Sequence, residues 1–142
     1  MLMGENERYP GSDEGEFWWG VSENTSGPTR EKSRQFALAI IRLFKRLEAQ
    51  REYVISKQLL RSGTSIGANV EEGIAAESRR DFVHKMALAS KEARETAYWL
   101  RLLSDSDLVP DLEVSSELAQ ARELVRMLTS IVKTTALTAG KK

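Results

Sequence analysis

From about residue 30 onward, apolar residues recur in alternating steps of three and four, the period of a helix with one face buried. Phe36, Ile40, Leu43 and Leu47 define a first stripe, widened by Ala37, Ile41 and Phe44, and predict a helix over roughly 30–50. Thr29, after Pro28, is the expected N-cap. Leu59, Gly63, Ile66, Val70 and Gly73 continue the same rhythm and predict a second helix over roughly 52–76. The third is the most regular: Phe82, Met86, Ala89, Ala93, Thr96, Leu100 and Leu103 form its inward line, with Val83, Ser90 and Ala97 beside it. Ser78 is the expected cap of that helix, and Asp81 occupies the place of a capping-box acid. After the break at Asp105, Ser106, Asp107 and Pro110, a fourth helix is expected over roughly 113–136. Its inward residues are Leu118, Ala121, Val125, Leu128 and Val132, flanked by Leu124 and Ile131. No stretch has the period of two expected of a half-buried strand. The class is therefore all-α, and four amphipathic helices with short links predict an antiparallel up-down-up-down four-helix bundle.

Residues 1–28 break this pattern. They are rich in Gly, Ser, Asn, Pro and Glu, lack an apolar period, and predict an acidic, mostly disordered tail. The bundle is expected over 29–137, with a frayed end at 138–142. Phe17, Trp18 and Trp19 form an aromatic cluster inside the tail. Leaving such side chains in water costs roughly 1.5–3 kcal/mol each. The cluster is expected to fold back on the bundle or a neighbouring subunit, to dock on another protein, or to stay disordered with the rest of the tail.

Composition narrows the chemistry. The chain has 142 residues, no cysteine and one histidine. That excludes disulfides and thiolate or multi-histidine metal sites. No metal and no cofactor is expected. No apolar run approaches the ~20 residues of a membrane span, and the N-terminus lacks the features of a signal peptide; a cytoplasmic protein with no membrane partner is expected. The net charge is zero, but residues 1–29 carry six acids and one base, so an acidic tail precedes a basic body. That body can meet a polyanion without requiring one.

The run Arg61 to Gly73, RSGTSIGANVEEG, sits mid-helix with three glycines. Each costs roughly 1 kcal/mol relative to alanine, so packing or function must compensate. Gly63 and Gly67 do not form a Walker loop, which needs a longer glycine spacing, a lysine and a preceding strand. Glu71 and Glu72 do not form a di-iron site, which needs Glu-x-x-His pairs. A close helix crossing is the remaining reading, with the Asn69 amide expected to be satisfied across a helix pair. The acids Glu71, Glu72, Glu92 and Glu95 are expected to be solvated, with Lys91 and Glu95 as an i,i+4 pair. His84 is expected to face solvent. No nucleophile–base pair is evident, so the protein is expected not to be an enzyme.

The segment QLLRSGTSIGANVEEGIAAESRRDFVHKMALASKEARETAYWLRLL resembles the core of the four-helix-bundle proteins encoded in intervening sequences of 23S ribosomal RNA genes. The family pattern is RSA-x-SI-x-x-N-[IV]-x-EG, then a turn bearing arginine and serine, then a helix led by phenylalanine. Arg61, Ser62, Ser65, Ile66, Asn69, Val70, Glu72 and Gly73 fall on it, with Ser78, Arg79 and Phe82 following. The run ELVRMLTSIVKT, Glu123 to Thr134, also resembles the family. Gly63 stands where Ala is usual, and the Trp-bearing tail lies outside the resemblance. What the resemblance implies is a homopentamer. One relative, the accessory variability protein of diversity-generating retroelements, binds nucleic acid beside a reverse transcriptase, so RNA, DNA or such a protein is an implied partner.

Opposite its inward line, the third helix presents Arg80, His84, Ala87, Lys91, Arg94, Tyr98 and Arg101. This line holds four firm cations and no acid. Cations of this kind face water on any soluble helix; they are also what phosphate contacts require. Arg80, Lys91, Arg94 and Arg101, extended by Lys57 and Arg61 on the second helix, are the candidate nucleic-acid contacts. Ser62, Gly63, Ser65, Ile66, Asn69, Glu72 and Gly73 are the expected packing motif. The expected function is a non-catalytic homo-oligomeric adaptor; the alternative is a protein-interaction scaffold using the Phe17-Trp18-Trp19 tail.

Overall fold

A computed structural model describes the backbone of residues 13–139 and the side chains of residues 26–136. Four helices account for its elements: α1 (Asp13–Ala49), α2 (Ile55–Ile74), α3 (Arg79–Asp105) and α4 (Ser115–Ala139). Contacts between helices fix their directions. Arg30 of α1 meets Glu71 of α2, and the site of a Cβ on Gly63 lies against Ile40, so α2 runs back along α1. Arg61 meets Glu92 and Glu95 while Glu72 meets Lys85, so α3 reverses again. Lys32 and Arg46 of α1 reach Glu123 and Glu117 of α4. The result is the antiparallel all-α bundle expected from the periodicity.

The inward lines of the first three helices are buried as their spacing requires. Phe36, Ile40, Leu43, Leu47, Leu59, Ile66, Val70, Phe82, Met86, Ala89, Ala93, Leu100 and Leu103 are all sealed from solvent. In α4 the phase differs from the expectation. Ala121, Leu124, Leu128 and Ile131 are buried, whereas Leu118, Val125 and Val132 are half-buried and pack at the edge of the core. Two adjacent apolar lines run along α4, and hydropathy alone does not rank them. Val109 and Val114, both in the α3–α4 loop, are buried at one end of the core.

The start of α1 also departs from the expectation. The helix begins at Asp13 and runs through Pro28, so Thr29 is an interior residue and not an N-cap, and residues 13–28 have helical backbone. Pro28 removes one rung of the hydrogen-bond ladder and crowds the carbonyl four residues back, yet the helix continues through it. The inward line continues through it in disguise: Ser26, Thr29 and Ser33 are buried, stepping by three and four into Phe36. Small hydroxyl side chains carry the stripe where hydropathy sees a linker. The side chains of Phe17, Trp18 and Trp19 lie outside the described residues, as do residues 1–12 and 140–142.

The α1–α2 turn is built by two devices. Arg51 takes a left-handed backbone with φ 64°, and Glu52 N–H donates to the Leu47 carbonyl at 2.9 Å while Arg51 N–H donates to Glu48 at 2.9 Å. This is a Schellman closure with arginine where glycine is usual. Glu52 then caps α2. Its carboxylate accepts from the backbone N–H of Val54, Ile55 and Ser56 at 3.2, 2.9 and 2.7 Å, and Ser56 Oγ donates back to the Glu52 carbonyl at 2.8 Å. Residue 52, expected as the first of the helix, thus lies before it and serves as its cap. Glu52→Ala should cost about 1–2 kcal/mol, since it orphans several helix N-terminal donors; a urea midpoint shift without change in slope measures it. At α3, Ser78 Oγ accepts from Asp81 N–H at 3.1 Å, the cap expected from the sequence.

Candidate nucleic-acid interface

The Arg61–Gly73 motif resolves into packing, residue by residue. A Cβ on Gly63 would lie 2.9 Å from both Cγ atoms of Ile40, and one on Gly67 would lie 3.5–3.6 Å from Ser33 atoms. The crossing between α1 and α2 is therefore tightest at Gly63, where Ile40 fills the space a Cβ would need. Ser62 is buried and accepts from Thr96 Oγ1 at 2.9 Å, linking α2 to α3. Ser65 Oγ donates to the Arg61 carbonyl at 2.6 Å. Asn69 is half-buried, and its Nδ2 donates to the Ser65 carbonyl at 2.9 Å, so the amide is satisfied within its own helix and not across a pair as expected. Ile66 and Val70 sit in the core. Glu72 pairs with Lys85 at 3.2 Å, and Gly73 gives room to Met86 and the Lys85 stem.

Arg61 departs from the role its position suggested. Its guanidinium pairs with Glu92 at 3.2 Å and also with Glu95. Burial works against the charged form, but the hydrogen bonds and charges of Glu95 and Glu92 outweigh it and raise the pKa. A guanidinium paired with two carboxylates of the next helix is a clamp between α2 and α3. Glu95 consequently does not pair with Lys91; it accepts from Arg61 and from Trp99 Nε1 at 3.0 Å. Glu71, expected to be merely solvated, pairs with Arg30 at 2.9 Å across the α1–α2 seam.

The outer line of α3 is placed as expected. Arg80, His84, Ala87, Lys91, Arg94, Tyr98 and Arg101 are all exposed, along about 31 Å of helix at 1.5 Å per residue. Among the described residues, no ion pair involves Arg80, Lys91, Arg94, Arg101 or Lys57. The nearby α3 acids Glu92 and Glu95 are turned toward α2 and both pair there with Arg61, whose one charge offsets one of theirs. Between Arg80 and Arg101 the outer line itself carries no acid; the exposed Asp81 and Asp105 stand at its two ends.

The adjoining helix adds charge that the hydrophobic pattern does not single out. Ser90 Oγ and Thr129 Oγ1, 3.4 Å apart, mark where α3 and α4 touch, and α4 exposes Arg122, Arg126 and Lys133. Their spacing of four and seven was the available signal. Beside them on α4, Glu123 is hydrogen-bonded to the Lys32 ammonium, which with help from Arg126 holds its carboxyl below the usual range. No group of three or more potential metal ligands is gathered among the described residues, and no described helix is long and apolar enough to cross a membrane.

The fold and the motif define an all-α four-helix bundle whose signature residues serve helix packing. A family model described as 23S rRNA-intervening sequence protein matches residues 29–130, and the chain belongs to that family. It is also similar to the crystal structure of a protein of unknown function from the S23 ribosomal protein family of Bacteroides thetaiotaomicron. That similarity has 44% identity and a TM-score of 0.72, covering 77% of this chain and 98% of the other. No curated protein matches the sequence.

Proposed function

We propose that this protein is a non-catalytic, homo-oligomeric adaptor of the cytoplasm that holds nucleic acid through the outer face of α3. The observation carrying this reading is the exposed line of Arg80, Lys91, Arg94 and Arg101, unpaired among the described residues while Glu92 and Glu95 are occupied by Arg61. Phosphodiesters are the natural counterions of such a line. A homopentamer, the assembly implied by the family resemblance, would repeat it five times, and linked weak contacts gain effective concentration. Arg61 acts beneath this face as a positioning residue, and Lys57 extends it by one free cation.

A mobility-shift titration at several salt concentrations tests the reading. Binding at low salt that weakens steeply as salt rises is expected; no shift at low salt overturns it. Native mass spectrometry tests assembly separately, with a pentamer expected and a lone monomer at micromolar concentration contradicting it.

A further inference from the structure

We propose that the ligand of the α3 face is single-stranded nucleic acid, held by stacking of an unpaired base on Tyr98 between the cations of Arg94 and Arg101. This deepens the reading of α3 as a nucleic-acid surface and rests on it.

Tyr98 is the one aromatic on the outer line of α3, and 46% of it is exposed. Arg94 lies four residues before it and Arg101 three residues after it, so each is about one helical turn away on the same side. The ring is not a loose surface group. Its centroid lies 5.4 Å from that of Trp99 at an interplanar angle of 61°, an edge-to-face contact. Trp99 is fixed in turn: it is half-buried, and its Nε1–H donates to Glu95, which Arg61 of α2 clamps. A chain of contacts from the family motif to the outer face thus holds one aromatic in place while leaving much of its surface to solvent. Ordering Tyr98 beforehand lowers the entropy lost when a base stacks on it.

The geometry favours a single strand over a duplex. Bases in a duplex have their faces covered by neighbours and offer a protein only their edges, whereas an unpaired base has a free π-face. A duplex laid on α3 would meet the cations through its phosphates and gain nothing from the Tyr98 ring. A single strand uses both, with phosphates on arginine and a base on tyrosine.

The test uses the full-length protein and fluorescence anisotropy at low salt. The probes are labelled single strands of mixed sequence, about 20 nucleotides long to exceed a typical single-strand site, as DNA and as RNA, and the matching duplexes. Wild type should bind at least one single strand more tightly than its duplex. Comparing the DNA and RNA arms reads whether the 2′-hydroxyl contributes. Tyr98→Ala should weaken single-strand binding about tenfold, the effect of losing one stacked base, and leave duplex binding unchanged. Tyr98→Phe, which keeps the ring, should bind single strands like wild type. A cooperative thermal transition in both variants, lowered in Tyr98→Ala by no more than the lost contact with Trp99, shows that the bundle is intact. If Tyr98→Ala binds single strands like wild type while Arg94→Glu with Arg101→Glu loses them, the stacking inference is wrong and the basic-face reading survives. If no probe binds wild type, both are wrong.

Discussion

Gly63→Leu will prevent the native bundle from forming, or cost about 3 kcal/mol or more, beyond the usual range for an added methylene in a packed core. The reason is the nature of the opposing group. The Cγ1 and Cγ2 atoms of Ile40 stand 2.9 Å from the place a Cβ would occupy, and its Cβ stands 3.2 Å away. A β-branched side chain carries this bulk next to its own backbone and has little rotamer freedom within a helix. Leucine at 63 must therefore push α1 from α2 along the seam. Gly67→Ala is the control that separates seam from glycine. Its Cβ would meet Ser33 atoms at 3.5–3.6 Å, an ordinary contact, so the gain in helix propensity should raise stability by roughly 0.5–1 kcal/mol. Urea unfolding followed by circular dichroism reads both; a Gly63→Leu protein with wild-type stability and assembly would show that no tight seam exists there.

The second large effect is on binding. Arg94→Glu with Arg101→Glu should lower nucleic-acid affinity at low salt by at least about tenfold, because it replaces two phosphate-facing cations by repelling anions. Stability should change little, since both residues are exposed and unpaired among the described residues, and surface substitutions of this kind usually stay within about 0.5 kcal/mol. Arg61→Ala provides the contrast. It should lower stability by freeing Glu92 and Glu95 from their cation, and any loss of binding will come from those uncovered acids beside the stripe. Thermal unfolding and filter binding on the same preparations separate the two behaviours.

The bundle was legible wherever the buried line is apolar. Phe82 to Leu103 could be read residue by residue because aliphatic and aromatic side chains repeating at helical spacing are rarely anything but a core face. It became illegible where the line turns polar. Ser26, Thr29 and Ser33 are buried continuations of α1, yet beside Gly27 and Pro28 they read as a linker. The α4 phase was ambiguous because Leu124 and Val125, or Ile131 and Val132, offer two apolar lines at once. The cap at Glu52 was hidden in another way: a carboxylate that gathers three backbone donors depends on the left-handed turn at Arg51, a backbone fact that residue type does not announce.

The candidate face divides in the same way. Exposure of Arg80, Lys91, Arg94 and Arg101 followed from period alone, since they stand opposite an unambiguous core line. The fate of Arg61 did not. Its partners, Glu92 and Glu95, lie on another helix, and only the pairing of α2 with α3 reveals that a motif arginine is committed to structure. One segment can therefore name a family through helix packing alone.

The central claim is that the motif builds the bundle and that the free cations of α3 meet phosphate. The salt dependence of affinity tests it most directly, measured for wild type and for Arg94→Glu with Arg101→Glu against the same single-stranded probe. The variant's plot of log affinity against log salt should be shallower by roughly 1.4, the loss of two phosphate contacts at about 0.7 each. Identical slopes would mean that these cations do not touch phosphate, and would contradict the claim.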